Sequence, residues 1–411
     1  MSILSRTGVD DVRGTCRIVF DALAGLGGVV ERMHTTIQQR PAPFGAARDV
    51  RAHGVTGVVY RSVQGGARMI GAGVDGVLAS IADMFPDRGR TDGREAMVAI
   101  VNGIYGDYLV RTSNPLAIGM SMRYAGQVVD PLDPAQSLRA AGAPPAASKV
   151  LVLVHGLCMN DLRWRRDGHD HGAALARELG YSALYLRYNS GLHVRDNGRL
   201  FSELLEVLLQ HWPVAVQELC IIGHSMGGLV ARSACCQAGQ SGNHWTTRLK
   251  KLVFLGTPHL GSPLERGRWL DFMLDLSPYS APLTRAGKLR SGGIQDLRHG
   301  DIAATGHAIP LPAGVKCYAA AATLAKRQGL LADRLIGDGL VPVDSALGRH
   351  RDRSKALDIP KAHQWIGYEM GHLDLLCRAE VYRQLRQWIG HQKLSEANTS
   401  ARQCRKSSQL I

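Results

Sequence analysis

One ten-residue stretch of this 411-residue chain combines a nucleophile with a local backbone shape that would present it. Residues 219–228 read Leu-Cys-Ile-Ile-Gly-His-Ser-Met-Gly-Gly. The apolar run at 219–222 predicts a buried strand, the pattern Gly-x-Ser-x-Gly predicts a tight turn, and the segment at 229–238 predicts a helix. We therefore predict that Ser225 is a nucleophile, and that the N–H of Met226 faces the negative charge that develops during attack.

A serine nucleophile requires a base and an acid that orients this base. After an elbow of this type the expected order along the chain is Ser, then Asp or Glu, then His. Asp338 stands between two glycines after an apolar run at 315–322 that predicts a strand. His372 follows a glycine and precedes an apolar helical start, after a second strand predicted at 356–359. The sequence thus predicts Ser225, Asp338 and His372 as a catalytic triad.

Other residues compete for the acid and base roles. The alternative acids do not stand between glycines in an apolar loop; they are Asp344, which is the main alternative, Asp333 and Asp358. The alternative bases are His363, which is the nearest rival, and three histidines in polar stretches, His299, His307 and His350. His224 is expected to pack at the elbow, because adjacent side chains on a sharp turn diverge.

A second amide donor for the developing oxyanion is expected after an early strand. Residues 149–154 read Lys-Val-Leu-Val-Leu-Val, and successive apolar positions predict a strand that is buried on both faces of a parallel sheet. Gly156 would allow the chain to turn after this strand. We predict that the backbone N–H of Leu157 then joins that of Met226 in an oxyanion hole.

From about residue 149 to 385 the chain resembles the serine lipases and esterases of the α/β-hydrolase superfamily, and it is most similar to bacterial lipases and GPI inositol-deacylase-like lipases. The resemblance rests on the order and spacing of five segments, at 155–157, 223–228, 256–262, 337–341 and 372–374. It implies an α/β-hydrolase fold, which is a mostly parallel central sheet with helices on both faces. It also implies Ser225 as nucleophile, His372 as base, Asp338 as acid, and the amides of Leu157 and Met226 as oxyanion donors.

No cofactor and no metal are predicted. Some secreted lipases of this kind have a calcium ligand two residues after the catalytic histidine, where Asp374 stands, but a helix cap is the simpler interpretation and the calcium question stays open. His169 and His171 lack further ligands in the sequence, and Asp170 between them is expected to cap a helix at 173–179. The eight cysteines form no Cys-x-x-Cys pair, which argues against zinc and redox sites.

The pattern along the chain predicts four parts. Residues 1–131 read as a helical N-terminal region, in which 69–84 has an apolar face at helical spacing. Prolines among alanines at 132–148 indicate a linker. Residues 149–392 form the catalytic domain, with a cap near 262–299 whose apolar residues suit either an acyl chain or core packing. Residues 393–411 form a polar basic tail.

The net charge of +14 admits an anionic partner, yet basic residues do not alternate with aromatic ones as in nucleic-acid-binding motifs, so we expect no nucleic acid. The opening residues lack the apolar segment of a signal peptide, and a cytoplasmic location is expected. Two interpretations of the N-terminal region stay open: a helical unit that packs on the hydrolase, and an element that makes peripheral membrane contact.

The predicted function is hydrolysis of a small-molecule or lipid carboxylic ester through an acyl-enzyme on Ser225. Two alternatives stay open, namely acyl transfer to an alcohol by the same triad, and a catalytically silent binding protein on a hydrolase fold.

Overall fold

The computed structural model describes residues 92–262, 291–303, 309–326 and 337–390. The chain divides into two compact units, one made of Met1–Thr91 with Leu109–Ala117, the other of Asp92–Tyr108 with Ile118–Ile411. The described part of the first unit is a helix end and the turn after it, where the Asn114 N–H donates to the Leu109 carbonyl at 2.8 Å. The predicted helical face at 69–84, most of the predicted cap and the basic tail lie outside the described residues.

An eight-stranded sheet forms the centre of the second unit, with helices packed against it. The strands run in the order β10-β9-β8-β7-β3-β6-β1-β2, and all neighbouring pairs from β10 to β6 are parallel. The strands are β1 (Ser121–Tyr124), β2 (Gln127–Val129), β3 (Lys149–Val154), β6 (Ser182–Arg187), β7 (Glu218–His224), β8 (Leu249–Leu255), β9 (Lys316–Thr323) and β10 (Gln364–Tyr368), and a separate pair is formed by β4 (Arg165–Arg166) and β5 (His169–Asp170).

The continuous apolar runs explain the central strands. Val150–Val154 and Leu219–Ile222 are fully buried, as expected for strands covered on both faces. The structure confirms the strands predicted at 149–154, 219–222 and 315–322.

The described residues contain eight helices, several of which connect parallel strands. They are α1 (Asp92–Arg111), α2 (Pro134–Ala140), α3 (His171–Leu179), α4 (Val194–Gln210), α5 (Met226–Ser241), α6 (Gly292–His299), α7 (Val343–Ala346) and α8 (Ala379–Ile389), with 3₁₀ turns at Asp161–Trp164, Trp245–Arg248, Lys361–His363 and His372–Leu376. Within the described ranges, no helix has the length and apolar character needed to cross a membrane. The cap predicted for α3 is present, because Oδ1 of Asp170 accepts the Ala173 N–H at 2.9 Å.

The sheet begins before the stretch that the sequence analysis gave to the catalytic domain. β1 and β2 form a hairpin at one edge, and β1 pairs antiparallel with β6. The hairpin turns through Ala125 and Gly126, both at positive φ (48° and 77°). Alanine is uncommon at such a position, so the turn lacks the Asn-Gly signal by which a hairpin is found in a sequence. The stretch predicted as a linker contains α2, which Asp133 caps at the N–H of Gln136.

The strand before His372 is β10, not the segment 356–359, so that prediction was wrong. Residues 356–359 lie in an irregular loop that ends at Pro360. Proline has no N–H for a strand ladder and interrupts a strand that would continue there.

A buried ion pair joins two of the parallel strands at their amino ends. Nζ of Lys251 on β8 donates to Oε1 of Glu218 on β7 at 2.5 Å and to the carbonyl of Ile389 at 3.1 Å. The hydroxyl of Tyr181 donates to the same carboxylate oxygen at 2.5 Å. The charge of Lys251 is therefore compensated within the core.

Candidate active site

Ser225 occupies a strained turn between β7 and α5. Its backbone has φ 53° and ψ −126°, a region that residues with a side chain rarely adopt. The turn is held by two hydrogen bonds, from the Ser225 N–H to the Leu255 carbonyl at 2.8 Å and from the Gly228 N–H to the Ser225 carbonyl at 3.1 Å. Such strain persists where the surroundings fix it, and it frequently marks a functional residue.

Two glycines allow the strand and the helix to meet at this turn. A Cβ built on Gly223 would lie 2.5 Å from the Cα of Gly228, and one on Gly227 would lie 2.5 Å from the carbonyl oxygen of His155. Neither position can hold a side chain without movement of the backbone. The glycines of Gly-x-Ser-x-Gly are therefore required by packing as well as by the turn.

Asp338 and His372 are hydrogen bonded. Nδ1 of His372 donates to Oδ2 of Asp338 at 2.6 Å, and both side chains are buried. The second carboxylate oxygen of Asp338 accepts the N–H groups of Leu340 and Val341 at 3.0 and 2.8 Å. The aspartate is thus fixed by its own loop, which fixes the histidine ring in turn.

His372 and Ser225 both lie near the carboxyl end of β8. A Cβ built on Gly256, the residue after β8, would lie 3.1 Å from Cε1 of His372. The residue before it, Leu255, accepts the hydrogen bond of the Ser225 N–H. The structure therefore gathers the three predicted triad residues at one edge of the sheet.

His224 links the elbow to the loop that carries the base. Its Nε2 donates to the backbone carbonyl of His372 at 3.2 Å, and the two imidazole rings are 4.8 Å apart. Burial and the neighbouring His372 hold the pKa of His224 well below its ordinary value, which favours the neutral ring. This contact agrees with the expectation that His224 packs at the elbow.

The two predicted oxyanion donors flank Ser225. Met226 is the first residue of α5, and an N–H at this position has no partner within its own helix. Gly156 and Leu157 follow β3, and a Cβ on Gly156 would lie 3.0 Å from the Cβ of Ser225. Leu157 and Met226 are both buried, so their amides lie in a site that excludes bulk water.

Among the described residues, the alternative acids and bases lie elsewhere in the fold. Asp344 lies in the first turn of α7, Asp358 is exposed, and Nδ1 of His363 contacts the carbonyl of Cys317 at 3.1 Å near the amino end of β9. His299 and His350 are exposed, the first bonded within α6 and the second within its own loop, while Asp333 and His307 lie outside the described residues.

No group of three or more metal-ligating side chains is found in the part of the chain that the structure describes. Oδ2 of Asp374 accepts the Gly371 N–H at 2.8 Å and so caps the turn that begins at His372. His169 and His171 are in contact at 2.8 Å, and Nε2 of His171 donates to the carbonyl of Leu375 at 3.2 Å. Asp374 and His171 thus both support the loop of the base.

Two residues at this edge were missed in the sequence. The hydroxyl of Tyr188 donates to the carbonyl of His155 at 2.8 Å, and the hydroxyl of Ser190 accepts the N–H of Cys158 at 3.0 Å. No motif marks them. Their position directly after β6 could have indicated them. β6 is parallel to its neighbour β3, and the carboxyl ends of parallel strands meet at one edge of the sheet.

Residues 186–286 match the family of PGAP1-like alpha/beta domains. No curated protein matches the chain. The solved structures to which it is similar include the mature lipase BlEst2 of Bacillus licheniformis (16% identity over 60% of this chain and 92% of that one, TM-score 0.40), a thermophilic esterase of Thermogutta terrifontis (15%, 59% and 90%, 0.36) and the thioesterase RedJ of Streptomyces coelicolor (14%, 60% and 91%, 0.35).

The mostly parallel eight-stranded sheet, with helices packed against it, confirms the α/β architecture that the predicted α/β-hydrolase fold requires. The same prediction included a helical N-terminal region, and its residues up to Thr91 lie outside the described residues.

Proposed function

We propose that this protein hydrolyses carboxylic esters through an acyl-enzyme on Ser225. The observation that carries the proposal is the 2.6 Å hydrogen bond from His372 to Asp338, at the strand end where Ser225 occupies a strained turn. A buried acid, a base that it orients and a serine on an elbow are the components of acyl transfer.

In this mechanism His372 accepts the hydroxyl proton of Ser225 as Oγ attacks the ester carbonyl. Asp338 keeps the proton of His372 on Nδ1 and stabilises the imidazolium that forms. The N–H groups of Leu157 and Met226 stabilise the tetrahedral oxyanion, and His372 then protonates the leaving alcohol. Water, deprotonated by His372, releases the carboxylic acid and restores Ser225.

The surroundings of Ser225 favour a substrate with an apolar acyl group. Ser225 is 7% exposed, and the side chains of Leu157 and Met159 in the loop after β3, and of Met226 at the start of α5, are buried beside it. An apolar site stabilises bound hydrocarbon and excludes water from the reacting atoms. We propose small-molecule or lipid esters as the substrate class.

The test is labelling and turnover of the whole chain. The wild-type protein is treated with a fluorophosphonate probe and assayed on p-nitrophenyl esters of rising acyl length, beside Ser225→Ala. Ser241→Ala, at an exposed serine of the same helix, is the matched control. We expect one label per chain in wild type and control, and neither label nor turnover in Ser225→Ala.

Turnover of Ser225→Ala above about 1% of wild type would exclude Ser225 as nucleophile, because loss of a triad nucleophile costs far more than a hundredfold. A wild-type protein that is folded but neither labelled nor active on any ester would contradict the proposed function.

A further inference from the structure

The loop that carries the Leu157 amide is held at both ends by the segment after β6. On one side, Tyr188 donates its hydroxyl to the His155 carbonyl, and its ring stacks on that of His155 with centroids 4.3 Å apart. On the other side, the Ser190 hydroxyl accepts the Cys158 N–H at 3.0 Å. The two bonds flank the peptide group of Leu157, which contributes the proposed oxyanion donor.

The carbonyl of this peptide group accepts Nδ1 of His155 at 2.8 Å and the Met159 N–H at 3.4 Å, and the residues on either side of it add a need for outside support. Gly156 has no Cβ to restrict its backbone, and Cys158 has φ 60°, a value that residues with a side chain rarely adopt. The hydrogen bond of Ser190 is made by the N–H of Cys158 itself. Loss of this bond would favour relaxation of Cys158 toward an ordinary φ, and the adjoining Leu157 would then change direction.

Helix α1 supports the segment that contains Ser190. Nδ2 of Asn189 donates to the Gly106 carbonyl at 3.1 Å, and a Cβ built on Gly191 would lie 2.8 Å from the Cα of Gly106. At the end of β6, just before the segment, Arg187 forms a buried ion pair with Glu95 of α1. The loop after β6 is therefore attached to α1 by an amide, a close backbone contact and an ion pair.

The same helix also lies against the oxyanion loop directly. A Cβ built on Gly103 would overlap Sγ of Cys158 and lie 3.0 Å from its Cα. The Gly103 carbonyl accepts the hydroxyl of Ser291 at 2.7 Å, which ties the start of α6 to this point. The absence of a side chain at Gly103 thus sets how closely the helix approaches Cys158.

We propose that Ser190 is a positioning residue of the oxyanion hole, and that α1 holds the segment of Ser190 in place. The inference rests on the proposed function and extends it. Ser190 is 1% exposed and contacts Cys158, so its effect on the reaction passes through the direction of the Leu157 N–H. Helix α1, which precedes the region that resembles known lipases (149–385), thereby takes part in building the site.

The experiment compares Ser190→Ala with Ser190→Thr in the full chain. Readouts are kcat, KM and the inhibition constant of a trifluoromethyl ketone, whose adduct with Ser225 carries an oxyanion. Loss of an oxyanion donor costs about 10²–10³ in kcat, and a misdirected donor should cost less. We expect Ser190→Ala to lower kcat about 10–100-fold with KM within about twofold, and to weaken the inhibitor by the same factor. Ser190→Thr, which keeps the acceptor oxygen, should recover most of both.

A second pair of variants tests the helix without touching Ser190. Gly103→Ala places a methyl group against Cys158, whereas Gly239→Ala places one on an exposed face of α5 where nothing lies within 4 Å. We expect Gly103→Ala to lower kcat and inhibitor affinity together, and Gly239→Ala to match wild type. This pair decides the question if Ser190→Ala does not fold.

The outcomes separate the two proposals. Activity that survives Ser225→Ala overturns the proposed function, whatever Ser190 does. Activity lost with Ser225→Ala but unchanged kcat and inhibitor affinity in Ser190→Ala overturns the role of Ser190 alone. A rise in KM at constant kcat also overturns it, because the residue would then act in substrate binding.

Discussion

The two carboxylate oxygens of Asp338 have different partners: Oδ2 accepts Nδ1 of His372 at 2.6 Å, and Oδ1 accepts the N–H groups of Leu340 and Val341. The acid is therefore anchored to the backbone independently of the base. Because Oδ1 is committed to these amides, only Oδ2 is directed at the histidine. The carboxylate fixes one tautomer of His372, with the proton on Nδ1.

Asp338→Asn should lower kcat by about 10³-fold or more with little change in KM, because the amide cannot stabilise the imidazolium and favours the wrong tautomer. Esterase kinetics at pH 7 provide the measurement. Asp344→Asn, at the main alternative acid, is the control and should stay close to wild type. A normal Asp338→Asn with an inactive Asp344→Asn would mean that the acid has been misassigned.

Buried histidines should make the fold sensitive to acid. Burial lowers the pKa of His155 and His171 to about 3, and that of His224 and His259 well below 6.5. Between pH 3 and 6.5 the unfolded chain binds more protons than the folded one. The free energy of unfolding should therefore fall as pH decreases below about 6.5, by at most about 1.4 kcal/mol per pH unit for each histidine.

The variant His171→Gln isolates one such group. Urea unfolding between pH 7 and 5 should give a shallower loss of stability than in wild type, while His350→Gln at an exposed position should keep the wild-type slope. Equal slopes in all three proteins would show that His171 does not titrate on unfolding.

Lys251→Met should destabilise the fold by about 3–5 kcal/mol, because it removes the ammonium group that compensates the buried Glu218 carboxylate. The double variant Lys251→Met/Glu218→Gln should be less destabilised than this single variant, since no buried charge is left. Denaturant unfolding at pH 7 measures both. A double variant that loses as much stability as the two single changes added together would argue against charge compensation.

Asp374 should act as a cap and not as a calcium ligand. Its carboxylate already accepts the Gly371 N–H at 2.8 Å, so Asp374→Ala should cost about 1 kcal/mol of stability. Ester hydrolysis should be unchanged by EDTA in wild type. Activity that EDTA abolishes and added calcium restores would disprove this assignment.

The position of the candidate site could be predicted from the sequence, because each predicted residue lies in a short segment with its own signal. Ser225 follows a buried strand, and Asp338 lies between glycines that adopt φ 53° and 96°. The central strands were equally clear, since only burial on both faces explains such continuous apolar runs.

The elements that support the site were not readable in the same way. The hairpin of β1 and β2 turns at Ala125, where propensity favours another residue. Ser190 contacts Cys158 across 32 residues, and the hydrogen bond from Asn189 to Gly106 spans 83. Such contacts depend on the topology of the sheet, so a local pattern cannot reveal them. The domain boundaries and the role of the N-terminal region stay predictions.

The hydrogen bond from His224 to the carbonyl of His372 closes a loop of 148 residues, and the one from His171 to Leu375 closes a loop of 204. Contacts this distant in sequence form late, because the entropy of a long loop must be lost before they contribute any stability. The elbow at Ser225 can therefore form from neighbouring segments before the loop that carries His372 has docked. During refolding we expect secondary structure to return before esterase activity, which reports that the last chain segment has docked.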